Sequence, residues 1–409
     1  MFINHAMGPE PRHEWPTDLD VQALLSSGWS PSPFREFIVK VHSRCDLSCD
    51  YCYMYEMADQ SWRSQPRAMS AEIADLVARR IGEHARKHCL DRVRLILHGG
   101  EPLLAGRDLI ARLVASTRAQ AGPGIRVDAS VQTNGVGLSY SYLELFDELA
   151  VGVGVSVDGD ATAHDRHRRF ASGRGSYAAV SAALRRLRDF PHLFNGLLAT
   201  IDLRNDPVAT YEALADFDPP RIDLLLPHGT WASPPPGRVP DPGATPYADW
   251  LTSVFEQWYP KPRTGIRLFE EIMQLLLGGA ATSESVGLSP ARMVVIETDG
   301  SIEQTDTLKI AFDGAPATGL HLATSPLDDA LRQPQVAARQ IGVQGLSADC
   351  RACPVHRVCG GGMYAHRYRP GTGFANPSVY CLDLMALIGH IRDRMKADLD
   401  ARLSRKADH

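Results

Sequence analysis

The chain has 409 residues, 44% of them hydrophobic and 22% charged, enough to bury a large core and to form more than one domain. Its formal net charge of -5 argues against broad electrostatic capture of nucleic acid or anionic membrane. No apolar run approaches the length of a membrane span, and MFINHAMGPEPRHEW lacks the basic-then-apolar order of a secretory signal, so a cytoplasmic protein is expected.

Residues 1–34 form a Pro- and Trp-containing extension in which DLDVQALLSSG predicts a short amphipathic helix. Over residues 35–230, six β-type runs alternate with helical patterns: FIVKVHS, RVRLILHGG, IRVDASVQTNG, VGVGVSVDG, FNGLLATIDL and RIDLLLPHG. Such alternation implies an α/β fold of parallel strands with crossover helices, satisfied equally by a partial barrel or an open doubly wound sheet. Residues 231–290 open with the Pro-rich ASPPPGRVPDPGATP, a linker, and continue with the helical patterns DWLTSVFEQWY and FEEIMQLLLGG. Residues 291–385 start with MVVIETDGSIEQ, a hairpin turning at Asp299 and Gly300, and run into a Cys-rich segment; a helix over 386–409 ends the chain.

RCDLSCDYCYMYE sets Cys45, Cys49 and Cys52 at CxxxCxYC spacing directly after the first strand. Three thiolates leave one iron of a 4Fe-4S cluster open to an outside molecule, whereas four close it. Three free thiols or a zinc site are the alternatives, although zinc motifs usually begin CxxC with a fourth ligand nearby. Cys350, Cys353 and Cys359, followed by GGG and later by Cys381, supply four thiolates, suited to a closed cluster or a zinc ribbon. Cys89 is left over, expected as a buried thiol, and no disulfide is needed, which fits a reducing compartment.

CxxxCxYC, followed in order by LILHGGEP (95–102), VQTNG (131–135) and VGVSVDG (153–159), resembles the signature of the radical SAM superfamily. The resemblance implies a partial (β/α)6 radical SAM barrel. It also implies a 4Fe-4S cluster on Cys45, Cys49 and Cys52 that binds S-adenosyl-L-methionine and yields a 5′-deoxyadenosyl radical. Gly99 and Gly100 would let backbone approach that ligand, Glu101 would accept from its ammonium, and Tyr51 would lie near adenine. Ser156, Arg168 and Leu197 match contacts of bound adenosylmethionine in sulfatase-maturase relatives, Arg168 as a bidentate partner of its carboxylate. His98, beside the glycines, would line the cavity or serve equally well as a hydrogen-bonded structural histidine. Gly152 and Gly154 lie inside a strand pattern and make no dinucleotide fingerprint.

The C-terminal cysteines resemble a SPASM-type iron-sulfur domain, which usually holds two auxiliary clusters. Here Met363 occupies one expected Cys position and the hairpin has no Cys. One auxiliary 4Fe-4S cluster is therefore implied, on Cys350, Cys353, Cys359 and Cys381. In sulfatase-maturase relatives an Asp at the position of Asp306 is a catalytic base, which burial would tune toward neutrality; Glu297, Glu303 and Lys309 would be its polar neighbours. The strings KVHSRCDLSCDYCYMYE, DQSWR, VVIETDGSIEQTDTLK and CGGGMYAHRYRPGTGFANPSVYCLDL resemble FxsB-like radical SAM/SPASM peptide maturases. That resemblance implies a ring-carbon to β-carbon crosslink (cyclophane) in a ribosomally made precursor peptide with a leader. It also implies an external one-electron reductant of flavodoxin or ferredoxin type. Thioether formation, or oxidation of Cys or Ser to formylglycine, is the alternative chemistry, and a non-catalytic peptide-binding or electron-transfer protein the more distant one.

Overall fold

A computed structural model of the chain describes residues 14–238 and 243–407; the first part of the N-terminal extension and residues 239–242 of the expected linker lie outside the described residues. The six β-type runs become β1 (Glu36–His42), β2 (Arg92–Gly99), β3 (Arg126–Thr133), β4 (Val151–Ser156), β5 (Phe194–Thr200) and β6 (Arg221–Leu225). They pair in sequence order, each with the next and all parallel. After α1 (Val21–Ser26), the predicted short helix, crossovers are made by α2 (Ala71–Lys87), α3 (Arg107–Ala121), α4 (Tyr140–Glu148), α5 (Ala161–His167), α6 (Tyr177–Leu187) and α7 (Pro207–Ala215). In α2, Ser70 caps the first turn by accepting from Ile73 N, and Ala74, Val77, Ala78, Ile81 and Ala85 recur at helical spacing on its buried side.

Side chains alternate across a strand, and here the two faces differ in chemistry. Val39, Leu97, Val131, Val155 and Leu197 face the helices and are essentially fully buried in the core. The register puts Lys40 beside His98, Gln132 beside Gly154, Ser156 beside Leu198, and Leu198 beside Asp223 on the opposite face. A parallel sheet covered by helices on both sides would be apolar on both. The polar side of this one is a chamber.

The chain continues through α8 (Pro246–Trp258), β7 (Gly265–Ile266) and α9 (Arg267–Leu276) to the predicted hairpin, β8 (Met293–Ile296) and β9 (Ser301–Glu303), followed by β10 (Ala317–His321). β8 pairs parallel with β1, giving one sheet in the order β10-β9-β8-β1-β2-β3-β4-β5-β6-β7. The C-terminal unit expected from residue 291 thus starts within the barrel's own sheet. The last helix, Cys381–Ala407, buries Leu384, Leu387, Ile388 and Ile391, and its Asp383 accepts from Tyr247 N and Ala248 N at the start of α8.

The turn after β2 docks on the segment after β1. Gly100 N donates to His42 O (2.9 Å) and Glu101 N to Arg44 O (3.0 Å). A Cβ on Gly99, whose φ is +140°, would lie 2.2 Å from His42 O; one on Gly100 would lie 2.5 Å from the Arg44 carbonyl. The two glycines therefore admit the chain's own backbone. Gly100→Ala should cost about 1–3 kcal/mol by overpacking, whereas Gly389→Ala, where nothing lies within 4 Å, should be neutral or mildly stabilising. Urea denaturation of both variants checks this.

Candidate active site

Cys45, Cys49 and Cys52 sit beyond the C-terminal end of β1, where parallel α/β folds gather functional groups. All three are free thiols. Leu47 N points at Cys45 Sγ (3.4 Å), as does Asn134 Nδ2 (3.6 Å), and the Met54 and Tyr55 amides favour the Cys52 thiolate. Burial nevertheless pushes all three thiols up, Cys49 to about 12 with Arg168 as its main opposing influence. Such a set gives up its protons only to something that takes the charge, as a metal centre does.

The C-terminal four are also neighbours: Cys359 feels Cys381 and Cys350, and Cys381 feels Cys350 and Cys353. Buried Arg367 donates to the Gly360, Gly361 and Gly362 carbonyls and so fixes the loop after Cys359. Sulfurs sharing one zinc would stand about 3.8 Å apart, from Zn–S bonds of about 2.3 Å in a tetrahedron. Among the described residues, the sets of ligand atoms lying within 4.8 Å of one another are His84, His88, Asp328 and Glu297, Glu303, Asp306. Neither cysteine group is among them.

Tyr51 and Arg168 converge on Asp158, a residue the sequence reading missed. Tyr51 Oη and Arg168 Nε (2.9 Å) both donate to Asp158 Oδ2, while Thr200 N donates to Oδ1 (3.0 Å). The Arg168 guanidinium lies 5.6 Å from the Tyr51 ring centre. Burial opposes the Arg168 charge, but Asp158, Tyr51 and Cys49 outweigh it and raise its pKa. The DG step after β4 was the available signal, since Asp158 directly precedes a positive-φ glycine, Gly159.

Glu101 is 1% exposed and already has three donors: Thr133 Oγ1 (2.7 Å) and Leu103 N (3.0 Å) on Oε1, Asn134 N (2.8 Å) on Oε2. Burial outweighs these bonds and raises it to about 7. It braces the β2 and β3 ends together, with one acceptor position of about four left on a carboxylate. Ser156 Oγ lies on the chamber side and accepts from Gln132 Nε2 (3.0 Å). Leu197 does not: it pairs with Val155 on the helix side and is 1% exposed, so the chamber-facing residue is Leu198. The displacement is one residue, which in a strand inverts the face. Cys89 is likewise corrected; it follows α2 with φ +49° and is exposed.

Asp306 lies at the far side of the chamber in a buried ionic network. Lys40 Nζ is 2.5 Å from Asp306 Oδ1 and 2.5 Å from Glu297 Oε1, and 3.7 Å from Glu303 Oε2. Lys309 Nζ meets Asp59 (2.9 Å), Glu297 (3.5 Å) and Glu303 (3.5 Å), and His98 Nδ1 stands 3.7 Å from Asp306 Oδ2. Burial alone would raise Asp306, the direction anticipated from sequence. Lys40, then His98 and Lys309, overturn that and hold it below its ordinary value. The carboxyl that burial does raise, to about 8, is Glu303. The three carboxylates would suit a metal ion, but Lys40 already provides their cation. Burial lowers His98, with Asp306 opposing.

Residues 39–200 match the family model of the radical SAM superfamily. That match places a radical SAM-like region across the first five strands, and a C-terminal cysteine-rich region follows it. Among curated proteins the chain is 25% identical over 274 residues to the cysteine-type anaerobic sulfatase-maturating enzyme of Clostridium novyi, covering 64% of this chain and 71% of that one. It is 22% identical over 389 residues to the serine-type enzyme of Bacteroides thetaiotaomicron, covering 90% and 92%. Among solved structures, native anSMEcpe with bound AdoMet superposes with a TM-score of 0.75 at 19% identity, over 89% of this chain and 99% of that one. Streptococcus suis SuiB bound to precursor peptide SuiA gives 0.56 at 14%, over 88% and 78%. These structures establish the fold, and in sequence the chain is similar to the sulfatase-maturating enzymes. Among the described residues no helix is long and apolar enough to cross a membrane.

Lys40→Met leaves buried carboxylates without their cation and should cost about 3–5 kcal/mol in denaturant unfolding. Glu303 holds its proton in the folded state from its ordinary 4.5 up to about 8, so its contribution is present at low pH and declines as pH rises through that window. Glu303→Gln should therefore flatten the fall in stability between about pH 5 and about pH 8; an unchanged slope contradicts the assignment.

Proposed function

We propose that this chain is a radical SAM enzyme that oxidises a residue of a peptide or protein substrate at its β-carbon. Cys45, Cys49 and Cys52 hold the open 4Fe-4S cluster, and Cys350, Cys353, Cys359 and Cys381 hold one closed auxiliary cluster. When bound, the open cluster and S-adenosyl-L-methionine supply a 5′-deoxyadenosyl radical that removes a hydrogen atom, and the auxiliary cluster supplies an acceptor for one electron. Arg168, aligned by Asp158, offers its guanidinium to the carboxylate of adenosylmethionine, with Tyr51, Ser156 and the Gly99–Glu101 turn around that ligand. An external reductant of flavodoxin or ferredoxin type starts each turnover.

The observation that carries the reading is Asp306, an ionised carboxylate on the chamber side of the sheet that also ends in the three-cysteine loop. Hydrogen-atom loss followed by electron loss leaves one proton to remove, and Asp306 takes it. In the ionised state it accepts that proton without first being deprotonated, which suits a general base.

The relatives favour oxidation of Cys or Ser to formylglycine, since both cysteine-type and serine-type sulfatase-maturating enzymes align over most of the chain. In that chemistry Asp306 takes the thiol or hydroxyl proton. Cyclophane crosslinking, with Asp306 taking the ring proton, rests on local strings of the FxsB-like type. One of these, DQSWR, has a packing role of its own, because Asp59 is held by Lys309, Ser61 Oγ and Gly314 N. A peptide substrate is supported by anSMEcpe structures that contain peptides and by SuiB with its precursor peptide.

Reduced, cluster-reconstituted enzyme should be given capped Cys-, Ser- and Tyr-containing peptides and the products mass-analysed. Formylglycine from Cys loses two hydrogens and exchanges sulfur for the oxygen of water, releasing hydrogen sulfide; from Ser it loses two hydrogens only, and either aldehyde traps with a hydrazide. A crosslink removes two hydrogens and gives no hydrazide adduct. Cys45→Ala should abolish adenosylmethionine cleavage. Asp306→Asn should retain cleavage yet lower product formation by about 10²-fold or more; normal product from the Asn variant removes Asp306 as the base.

A further inference from the structure

Three segments that are distant in sequence each put one ring into a common row beside Asp306. Tyr53 belongs to the cysteine loop, His228 lies just past β6, and His366 lies in a short helix, Tyr364–Arg367, of the cysteine-rich segment. The Tyr53 and His228 rings meet edge-on at 4.8 Å, His228 and His366 stand 5.7 Å apart, and His366 is 5.0 Å from Tyr380, next to Cys381. Asp306 and Lys40 are among the strongest charges felt by Tyr53, so the row begins at the ionic network. Tyr380 Oη is spent on Pro227 O, but two ring nitrogens of the row are not spent internally. His228 Nδ1 and His366 Nε2 are both buried and have no hydrogen-bond partner among the described residues. Leaving two such groups unsatisfied is costly, a cost that a site recovers when a ligand brings the missing partners.

We propose that His228 and His366 form the subsite that receives a main-chain amide of the peptide substrate, next to the residue presented to Asp306. This rests on the peptide reading above. The chemistry selects an amide on two grounds. Burial lowers His228 to about 4 and holds His366 well below its ordinary value, with His228 and Arg367 adding to the effect, so both rings are neutral and match an uncharged group rather than a carboxylate or ammonium. A neutral imidazole nitrogen is a donor or an acceptor according to tautomer, and an amide offers one C=O and one N–H, the complement of one of each. The flanking Tyr53 ring, only partly buried, gives an apolar wall that an extended peptide packs against, and Tyr380 backs His366 from the core. His228 and His366 ligate neither cluster, and touch the substrate only.

The test uses whichever capped Cys- or Ser-containing peptide the wild-type holoenzyme modifies in the mass assay. His228→Phe keeps a ring and removes the hydrogen bond; it should raise KM for that peptide about tenfold while peptide-free adenosylmethionine cleavage stays at the wild-type rate. His228→Asn should restore part of the affinity, and His366→Phe should repeat the KM effect if it folds, as judged by thermal denaturation. An unchanged KM in folded His228→Phe, as expected if a buried water bridges the two rings, overturns the proposal; so does loss of peptide-free cleavage, which would place His228 with the cluster. If the wild type cleaves adenosylmethionine but modifies no peptide, the peptide reading itself fails, and the subsite with it.

Discussion

A single ammonium at the centre of the sheet, Lys40 Nζ, sets the geometry on which the site depends. It stands 2.5 Å from Glu297 on the hairpin and 2.5 Å from Asp306 beyond it, inside a strand that leads directly to the cysteine loop. Burying a charge is costly unless it is paired, so β1 and the hairpin must stay in register. Lys309 extends the same constraint to the cysteine loop through Asp59, both side chains being fully buried. The result is a carboxylate kept ionised in a low-dielectric chamber, at a fixed place relative to the thiols. Hydrophobic packing alone would hold the elements together without determining the protonation state of Asp306.

Two further ties complete the frame. The Gly99–Glu101 turn lies against the backbone of His42 and Arg44, with no space for a Cβ, and Glu101 joins the ends of β2 and β3. Asp158 does the same between Tyr51 of the cysteine loop, Arg168 and β5. Motif residues that appear in sequence to await a ligand are thus partly occupied in holding one another. That is compatible with ligand binding, because preorganised groups need not be reordered when the ligand arrives.

Much of the fold was legible in the sequence because six β-type runs separated by helical patterns have few solutions, and all six became parallel strands in order. The DG turn of MVVIETDGSIEQ likewise marked its hairpin. Its pairing with β1 was not legible, since a parallel contact spanning some 250 residues leaves no local signal. Leu197 was misplaced by one residue because an apolar LL pair does not say which member faces the chamber. The protonation of Asp306 was misjudged because burial of a carboxyl was visible in the pattern while its partner, Lys40, lay in a strand far away. Asp158 and the His228–His366 pair were missed for the same reason: their roles arise from contacts between segments, not from spacing within one.

The central claim is that Lys40 keeps Asp306 ionised while Glu303, in the same network, carries a proton at neutral pH. Infrared difference spectroscopy of the carboxyl C=O stretch, comparing wild type with Glu303→Gln and Asp306→Asn, reads this directly. The account predicts a buried protonated-carboxyl band at neutral pH that disappears in Glu303→Gln and persists in Asp306→Asn. A band that survives in Glu303→Gln and vanishes in Asp306→Asn would mean that the proton sits on Asp306, and would contradict its assignment as the resting base.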